Sequence, residues 1–456
     1  MLTQSQLAKL NEYKNKAVAK STARKRLELL FDDGVYTELD VYAKSGEDLT
    51  GVISAYGYVD GSPIYAFSQD KDVMGGAVNK QHSEKICKIY DLAARTGIPV
   101  VGIFDSNGTY VDDGADALNY YGEILTRTSS LSGVVPQVSV IAGVCSGSAA
   151  MIACSADFVI MTEDAQLYMS PSSDLGKAKT AAVTGTAAII GKDDSEAMNA
   201  AKNIITLMPA NNIAELPEFD FAAPSGTAEG DAEAIVNAIA DAGSVIELYD
   251  DFGKASYVAL ASVGGSTIGI AATNKTNEKL TSDDSAKLAR FVRTCDAFSI
   301  PVLTIVDTEG FDSEGSIKDM TKLAHAYAEA TTLKISLITG NAIGAACVAL
   351  ASANANADVT FAYANAVISP IAPLTAIEFL MHDKLKGAKD LASERNKLAA
   401  DYAENSVSAF NAADKGCISD IITSAEAREK IISVLDVMSG KRMMKTLPKK
   451  HSNMPF

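Results

Sequence analysis

EKICKIYDLAARTGIPVVGIFDSNG (residues 84–108) returns later in the chain as AKLARFVRTCDAFSIPVLTIVDTEG (residues 286–310). Each stretch carries apolar residues at helical spacing, then Ile-Pro, then a short β-branched run ending in Asp and a Gly-containing loop. The helical spacing predicts an amphipathic helix, and the β-branched run predicts a buried strand. Pro99 matches Pro301 and Asp105 matches Asp307, each 202 residues later. Working outward, PQVSVIAGVCSGSAAMIACSADFVIM (residues 136–161) parallels LKISLITGNAIGAACVALASANANADVTFA (residues 333–362), and Ser170-Pro171 parallels Ser369-Pro370. A repeat on this scale predicts two domains of one ancestry.

Upstream, each half opens with two alternating segments, GVISAYGYVDGSPIYAFSQD and ASYVALASVGGSTIGIAATN. Asp60-Gly61 and Gly264-Gly265 are turn signals that predict hairpins. Strands alternating with helices imply βαβ units with right-handed crossovers, an α/β fold. Between the halves, residues 175–207 predict one or two helices ending at Met208-Pro209, and residues 231–242 predict another. A proline-bearing loop over 210–230 places the boundary there, giving lobes 1–215 and 230–456.

A chain of 456 residues is too long for one ordinary core, and 47% hydrophobic with 21% charged residues is globular in character. A net charge of −17 argues against a nucleic-acid partner, which needs a basic face. It leaves room for an anionic small ligand at a local Lys/Arg cluster. The N-terminus is polar and charged, unlike a signal peptide. Residues 134–161 are interrupted by Pro136, several serines and Asp157, so a buried strand and helix are expected there rather than membrane insertion. A cytoplasmic location is the expectation. Six cysteines show no CxxC pair and read as buried free thiols. Of four histidines, His82 is expected on a helix surface or behind the site, His325 in packing, and His382 and His451 on the surface. No paired-His metal site is supported, and Asp112-Asp113 reads as a solvated loop.

The chemistry-bearing features are two small-residue tracts, Cys145-Ser146-Gly147-Ser148-Ala149 and Ala342-Ile343-Gly344-Ala345-Ala346. Each follows a predicted buried strand and opens an apolar helix. First-turn amides lack intrahelical acceptors and sit at the positive dipole end, so such a turn suits a carbonyl oxygen that becomes an oxyanion. Small residues that merely allow close helix packing are the alternative. Two tracts at equivalent places in a repeat favour function.

With RKRLELLFDDGVYTELD (24–40), FSQDKDVMGGAVNKQHSEKI (67–86), GADALNYYGEI (114–124), SGVVPQVSVIAGVCSGSAA (132–150), FVRTCDAFSIPVLTIVDTEGF (291–311), AYAEAT (326–331) and KKHSNMPF (449–456), the chain resembles the carboxyltransferase family of biotin-dependent enzymes. That family includes the β subunits of propionyl- and acetyl-CoA carboxylases and the carboxyltransferase subunits of decarboxylase pumps. The resemblance implies two tandem crotonase-like (ClpP/crotonase) domains, an acyl-CoA lobe followed by a biotin lobe, and an active site formed between lobes of different subunits. It implies that the amides of Gly147 and Ser148 hold the thioester oxygen of acyl-CoA, and that those of Ala345 and Ala346, following Gly344, polarise the ureido oxygen of carboxybiotin. Gly75, Gly76, Gly108 and Val348 are the accompanying candidates for ligand contact, with Val348 read either as acyl-pocket lining or as core. Lys71, Lys80, Lys85, Arg24 and Lys25 are candidates for the CoA phosphates.

The resemblance further implies a short-chain substrate, methylmalonyl-CoA or propionyl-CoA, no metal in this subunit, and a homo-oligomer, a hexamer. Residues 443–445, Met-Met-Lys, lack the context of a biotinylation sequence, and no ATP-grasp or Walker segment is present. A separate biotin carrier protein is therefore expected, with either a biotin carboxylase or a membrane decarboxylase subunit. Two other classes stay open: a biotin-independent crotonase-like hydrolase or isomerase using an acid such as Glu163 or Asp164, and a non-catalytic subunit. The chain departs from the family in carrying Ser148 and Ala345 where glycine is usual.

Overall fold

The computed structural model describes residues 2–17, 21–46, 48–170, 176–355, 357–441 and 451–453. Pro171, Leu175, residues 443–445 and most of the terminal KKHSNMPF lie outside them. The chain divides into two compact units, residues 1–215 and 216–456.

In the first unit the predicted hairpin is Val52–Val59 with Ser62–Gln69. Asp60 and Gly61 both take positive φ (48° and 73°), the conformation that matches the twist of a two-residue hairpin. Among the described residues the main sheet runs in the order Tyr36–Leu39, Val52–Val59, Ser62–Gln69, Val100–Phe104, Gln137–Ile141, Phe158–Thr162, Ile189–Gly191. It is antiparallel through the hairpin and parallel beyond it. The parallel strands Val100–Phe104, Gln137–Ile141 and Phe158–Thr162 are buried at every position, as strands covered on both faces must be. The helix Lys80–Thr96 is capped by Asn79, whose side chain accepts from the His82 amide (3.0 Å), and ends at Gly97 in the left-handed region.

The second unit repeats this order among its described residues: Ile246–Leu248, Tyr257–Val263, Ser266–Ala272, Val302–Thr308, Lys334–Ile343, Val359–Tyr363, Asp420–Ile422. Its helix Ser282–Ala297 starts with a Thr281–Asp284 capping box. Where Gly97 ends the first helix, Ser299 takes φ 57° at the matching place, so the repeat preserves the backbone shape without the glycine.

Several expectations need correction. Between residues 176 and 207 the chain forms helices Ala178–Val183 and Asp194–Leu207, but the strand Ile189–Gly191 lies between them. That strand is too short to carry a period. Only Cys87, Cys145 and Cys295 are buried; Cys347 is half-buried and Cys154 and Cys417 are exposed, all as free thiols. Among the described residues no helix is long and apolar enough to cross a membrane.

Candidate active site

Three loops of the first unit converge beside Gly147. The strand Gln137–Ile141 breaks at Ala142-Gly143 and resumes as Val144–Ser146, which pairs with Gln166–Tyr168 in a second layer. The break is held by Asp105 at the end of the central strand. Its Oδ1 accepts from the Val144 amide (3.3 Å), and its carboxylate occupies the space a Gly143 side chain would need, with Oδ1 2.0 Å from an ideal Cβ. Only glycine fits there.

The Asp105 carboxylate is itself clamped. Arg26, from the helix Thr22–Leu30, donates from Nη1 to Asp105 Oδ2 (2.7 Å), from Nε to Asp194 (2.9 Å) and from Nη2 to the carbonyl of Ala142 (2.6 Å). Both Arg26 and Asp105 are almost fully buried. Charge-assisted bonds to all three partners satisfy a guanidinium that burial would otherwise leave costly. Nothing in the sequence pattern singles out Arg26; it stands in an ordinary amphipathic stretch.

Past the break, Gly147 takes φ 58°, ψ −129°, a conformation open to glycine, and its amide donates to the carbonyl of Tyr168 (2.9 Å). The helix Ser148–Ala153 starts immediately, so Ser148 and Ala149 offer the first-turn amides. The Gly147 amide is thus engaged with Tyr168. Ser148 keeps an ordinary negative φ, so glycine is not required there. Gly108 lies against Ser146, its ideal Cβ 3.6 Å from the hydroxyl, and its amide is fixed by the Ser106 hydroxyl (3.0 Å), which in turn donates to the carbonyl of Gly76 (2.6 Å). Gly75 accepts from the Asn107 amide (2.9 Å). Gly75, Gly76, Gly108, Gly147 and Ser148 are thus brought together.

The second unit builds the same turn. Asp307 Oδ1 accepts from the Asn341 amide (2.7 Å) and fills the side-chain space of Gly340. The Thr308 hydroxyl accepts from the Gly310 amide (3.2 Å), and Gly310 carries φ 109° against 107° for Gly108. Gly344 takes φ 60° and starts the helix Gly344–Leu350, in which Ala345 is exposed and Ala346 buried. Val348 is 59% exposed on this helix, so the core reading of that residue does not hold.

A family model for the carboxyl transferase domain matches residues 14–454. The chain belongs to the carboxyl transferase family. This carboxyl transferase is 34% identical to the methylmalonyl-CoA decarboxylase subunit alpha of Propionigenium modestum, over 97% of this chain and 95% of that one. It is 33% identical to the propionyl-CoA carboxylase carboxyltransferase subunit of Haloferax mediterranei, over 96% and 94%. Among solved structures it is similar to transcarboxylase 12S, a hexamer described with hydrolysed methylmalonyl-coenzyme A bound, at TM-score 0.90 and 28% identity over 100% of both chains. The fold is the crotonase-like α/β fold of these carboxyltransferases.

Polar residues near the turns of this carboxyl transferase have mixed fates. His82 is fully buried rather than on the helix surface; its Nε2 lies 3.2 Å from Gln69 Nε2, while Gln69 Oε1 accepts from the Asp105 amide. Burial first, and the Lys85 charge second, lower its pKa to about 3, so it stays a neutral imidazole at neutral pH. Arg24 pairs with Glu38 (2.8 Å), and Lys85 is buried 3.9 Å from the same carboxylate, which takes both out of the set free to meet CoA phosphates. Lys71 and Lys80 remain exposed.

Lys85 and Lys287 are repeat-equivalent, both buried, and burial lowers each to about 8 against partly opposing carboxylates. Lys287 donates to the carbonyls of Phe252 (2.9 Å), Gly253 (3.3 Å) and Ser256 (2.8 Å). Between about pH 8 and the unfolded lysine's value near 10.5 the unfolded state binds more protons, so each lysine adds stability as pH rises through that window. Wild type compared with Lys85→Met in urea at pH 7.5 and pH 9.5 should show the wild type gaining relative to the variant. An unchanged difference would mean that Lys85 is not depressed.

Proposed function

We propose that this protein transfers a carboxyl group between biotin, borne by a separate carrier protein, and a short-chain acyl-CoA, with methylmalonyl-CoA and propionyl-CoA as the acyl pair. The observation carrying this reading is the duplicated turn: an Asp-held strand break, a positive-φ glycine and first-turn amides, once in each unit. Carboxyl transfer develops negative charge on two oxygens, the thioester oxygen of the acyl-CoA α-carbanion and the ureido oxygen of biotin. Two donor sets are what such a reaction requires.

In the first unit the amides of Ser148 and Ala149 donate to the thioester oxygen, stabilising the enolate formed at the α-carbon. Gly147 shapes this turn through its bond to Tyr168. Gly75, Gly76 and Gly108 line the neighbouring loops without side chains that would block an acyl group. Carboxybiotin supplies an activated carboxyl group when bound. The exposed Ala345, with Ala346 behind it and Gly344 turning the chain, suits a flat ureido ring because no side chain beyond a methyl stands over those amides. Val348, one turn along, faces outward where an acyl chain or biotin would pass. Reaction rate then comes from preorganised backbone donors and proximity.

An apolar cavity of about 580 Å³ flanks the Ser148–Ala153 helix, lined by Met151, Cys154, Leu167, Tyr168, Met169 and Ala181 among others. The carrier would be served by a biotin carboxylase or a membrane decarboxylase subunit, which sets the direction of transfer. A homo-oligomer, hexameric like transcarboxylase 12S, completes the proposal. Transfer of label from carboxyl-labelled methylmalonyl-CoA to biocytin by the purified protein tests it. Biotin-dependent transfer is expected; thioester hydrolysis without transfer, across a panel of carboxylated acyl-CoAs and with carrier supplied, would overturn it.

A further inference from the structure

The two units differ at the buried position that faces the strand-break aspartate. In the first, the helix Thr22–Leu30 buries Ala23, Arg26, Leu27 and Leu30, and Arg26 clamps Asp105. In the second, the helix Ala232–Ile239 buries Ala232, Ile235, Val236, Ala238 and Ile239, and the shared spacing of four of these matches Ile235 to Arg26. Asp307 has kept its place at the strand break, but no guanidinium reaches it. Its Oδ1 accepts from Asn341, and among the described residues its Oδ2 has no ion pair or hydrogen bond.

Beside Asp307 lies a cavity of about 530 Å³ lined by Asp307, Ile235, Thr339, Tyr363, Glu229 and Ser424, and among the described residues no Lys or Arg lines it. Thr339 is the repeat counterpart of Ala142, whose carbonyl Arg26 meets in the first unit. Its side chain is 92% buried, at 8% exposure, and its Oγ1 has no partner. A buried hydroxyl without a partner is destabilising unless something in the cavity completes it. At the mouth, Glu229 accepts from the Ser424 hydroxyl and adds a second carboxylate.

We propose that this cavity binds a guanidinium group, which takes the place Arg26 holds in the first unit. The carboxylate of Asp307 receives its charge, Glu229 extends the negative rim, Thr339 Oγ1 accepts one of its N–H groups, and Ile235 and the Tyr363 ring wall the remainder. A planar, multi-donor cation matches this set better than a metal ion does, because among the described residues no three His, Cys, Asp or Glu side chains are grouped to hold one. The group is carried either by a free small molecule or by an arginine of a second copy of this chain.

Agmatine titrated calorimetrically into the full-length protein tests this, with a neutral N-alkylurea of the same shape as control. Saturable agmatine binding is expected, weakened about tenfold or more by Asp307→Asn, which keeps the Asn341 bond, and less by Thr339→Val. Ile235→Arg should abolish it by filling the cavity from within. Circular dichroism confirms that each variant is folded, and Thr339→Val with Glu229→Gln serve if Asp307→Asn is not. If wild type takes no agmatine yet Asp307→Asn changes its sedimentation coefficient, the guanidinium comes from a second copy. Equal binding of the urea, agmatine affinity indifferent to these substitutions, or no binding together with unchanged assembly would each overturn the proposal.

Discussion

Arg26→Met should destabilise the protein by about 3–5 kcal/mol, read as a lowered urea midpoint at unchanged slope. Methionine fills much of the same volume, so the loss is chiefly electrostatic. Asp105 is left as a buried carboxylate, 3% exposed, whose remaining partners among the described residues are the Val144 amide and Lys71. Lys71 lies 3.5 Å away but is half exposed, and a solvated ammonium is a weak substitute for a buried guanidinium donor. Ala142 loses a carbonyl partner and Asp194 loses its ion pair in the same step. Adding Asp105→Asn should restore part of the stability, since a neutral amide can be buried without a counter-charge. If the double variant falls by the sum of both single losses, the clamp is not a coupled unit.

The largest effect on activity is expected from Gly147→Ala. At φ 58°, ψ −129° a Cβ strains the backbone by about 1–3 kcal/mol, although no neighbour stands within 4 Å of it. Relief of that strain turns the peptide away from Tyr168 and displaces the Ser148 and Ala149 amides. Loss of one preorganised donor typically lowers turnover about 10²–10³-fold. The transfer rate to biocytin should fall by that order, while acyl-CoA binding by calorimetry changes little. Gly344→Ala, whose Cβ would lie 3.2 Å from the Pro370 carbonyl, should lower transfer while leaving acyl-CoA affinity intact. Wild-type transfer by Gly147→Ala would remove the first unit's turn from the mechanism.

Much of the architecture is legible in the sequence alone. The Ile-Pro and Asp-Gly marks of the repeat, the Asp60-Gly61 and Gly264-Gly265 turns and the fully apolar strand runs are local signals, because turn conformation and strand burial are written into neighbouring residues. The two small-residue tracts are visible for the same reason: only small side chains suit a strand that breaks and turns directly into a helix. Resemblance then attaches a chemistry to them. The strand Ile189–Gly191 escapes such a reading because three residues make no period. His82 escapes it because its helix position looks equally suited to either face, and only the tertiary fold buries it against Gln69.

Tertiary structure alone decided what the Gly147 amide meets and what holds each turn in place. The engagement of the Gly147 amide depends on Tyr168, 21 residues away, and the strand break depends on Arg26 meeting Asp105, 79 residues away. Such contacts join residues whose local patterns are ordinary, so nothing in their immediate neighbours announces them. The same holds for Ile235, an unremarkable helix residue until its place beside Asp307 shows that the second unit lacks the arginine clamp. The order of elements, the repeat and the location of both turns follow from the chain's own local preferences. The charge balance beneath those turns follows only from long-range packing, because a buried carboxylate needs whichever partner the fold delivers to it.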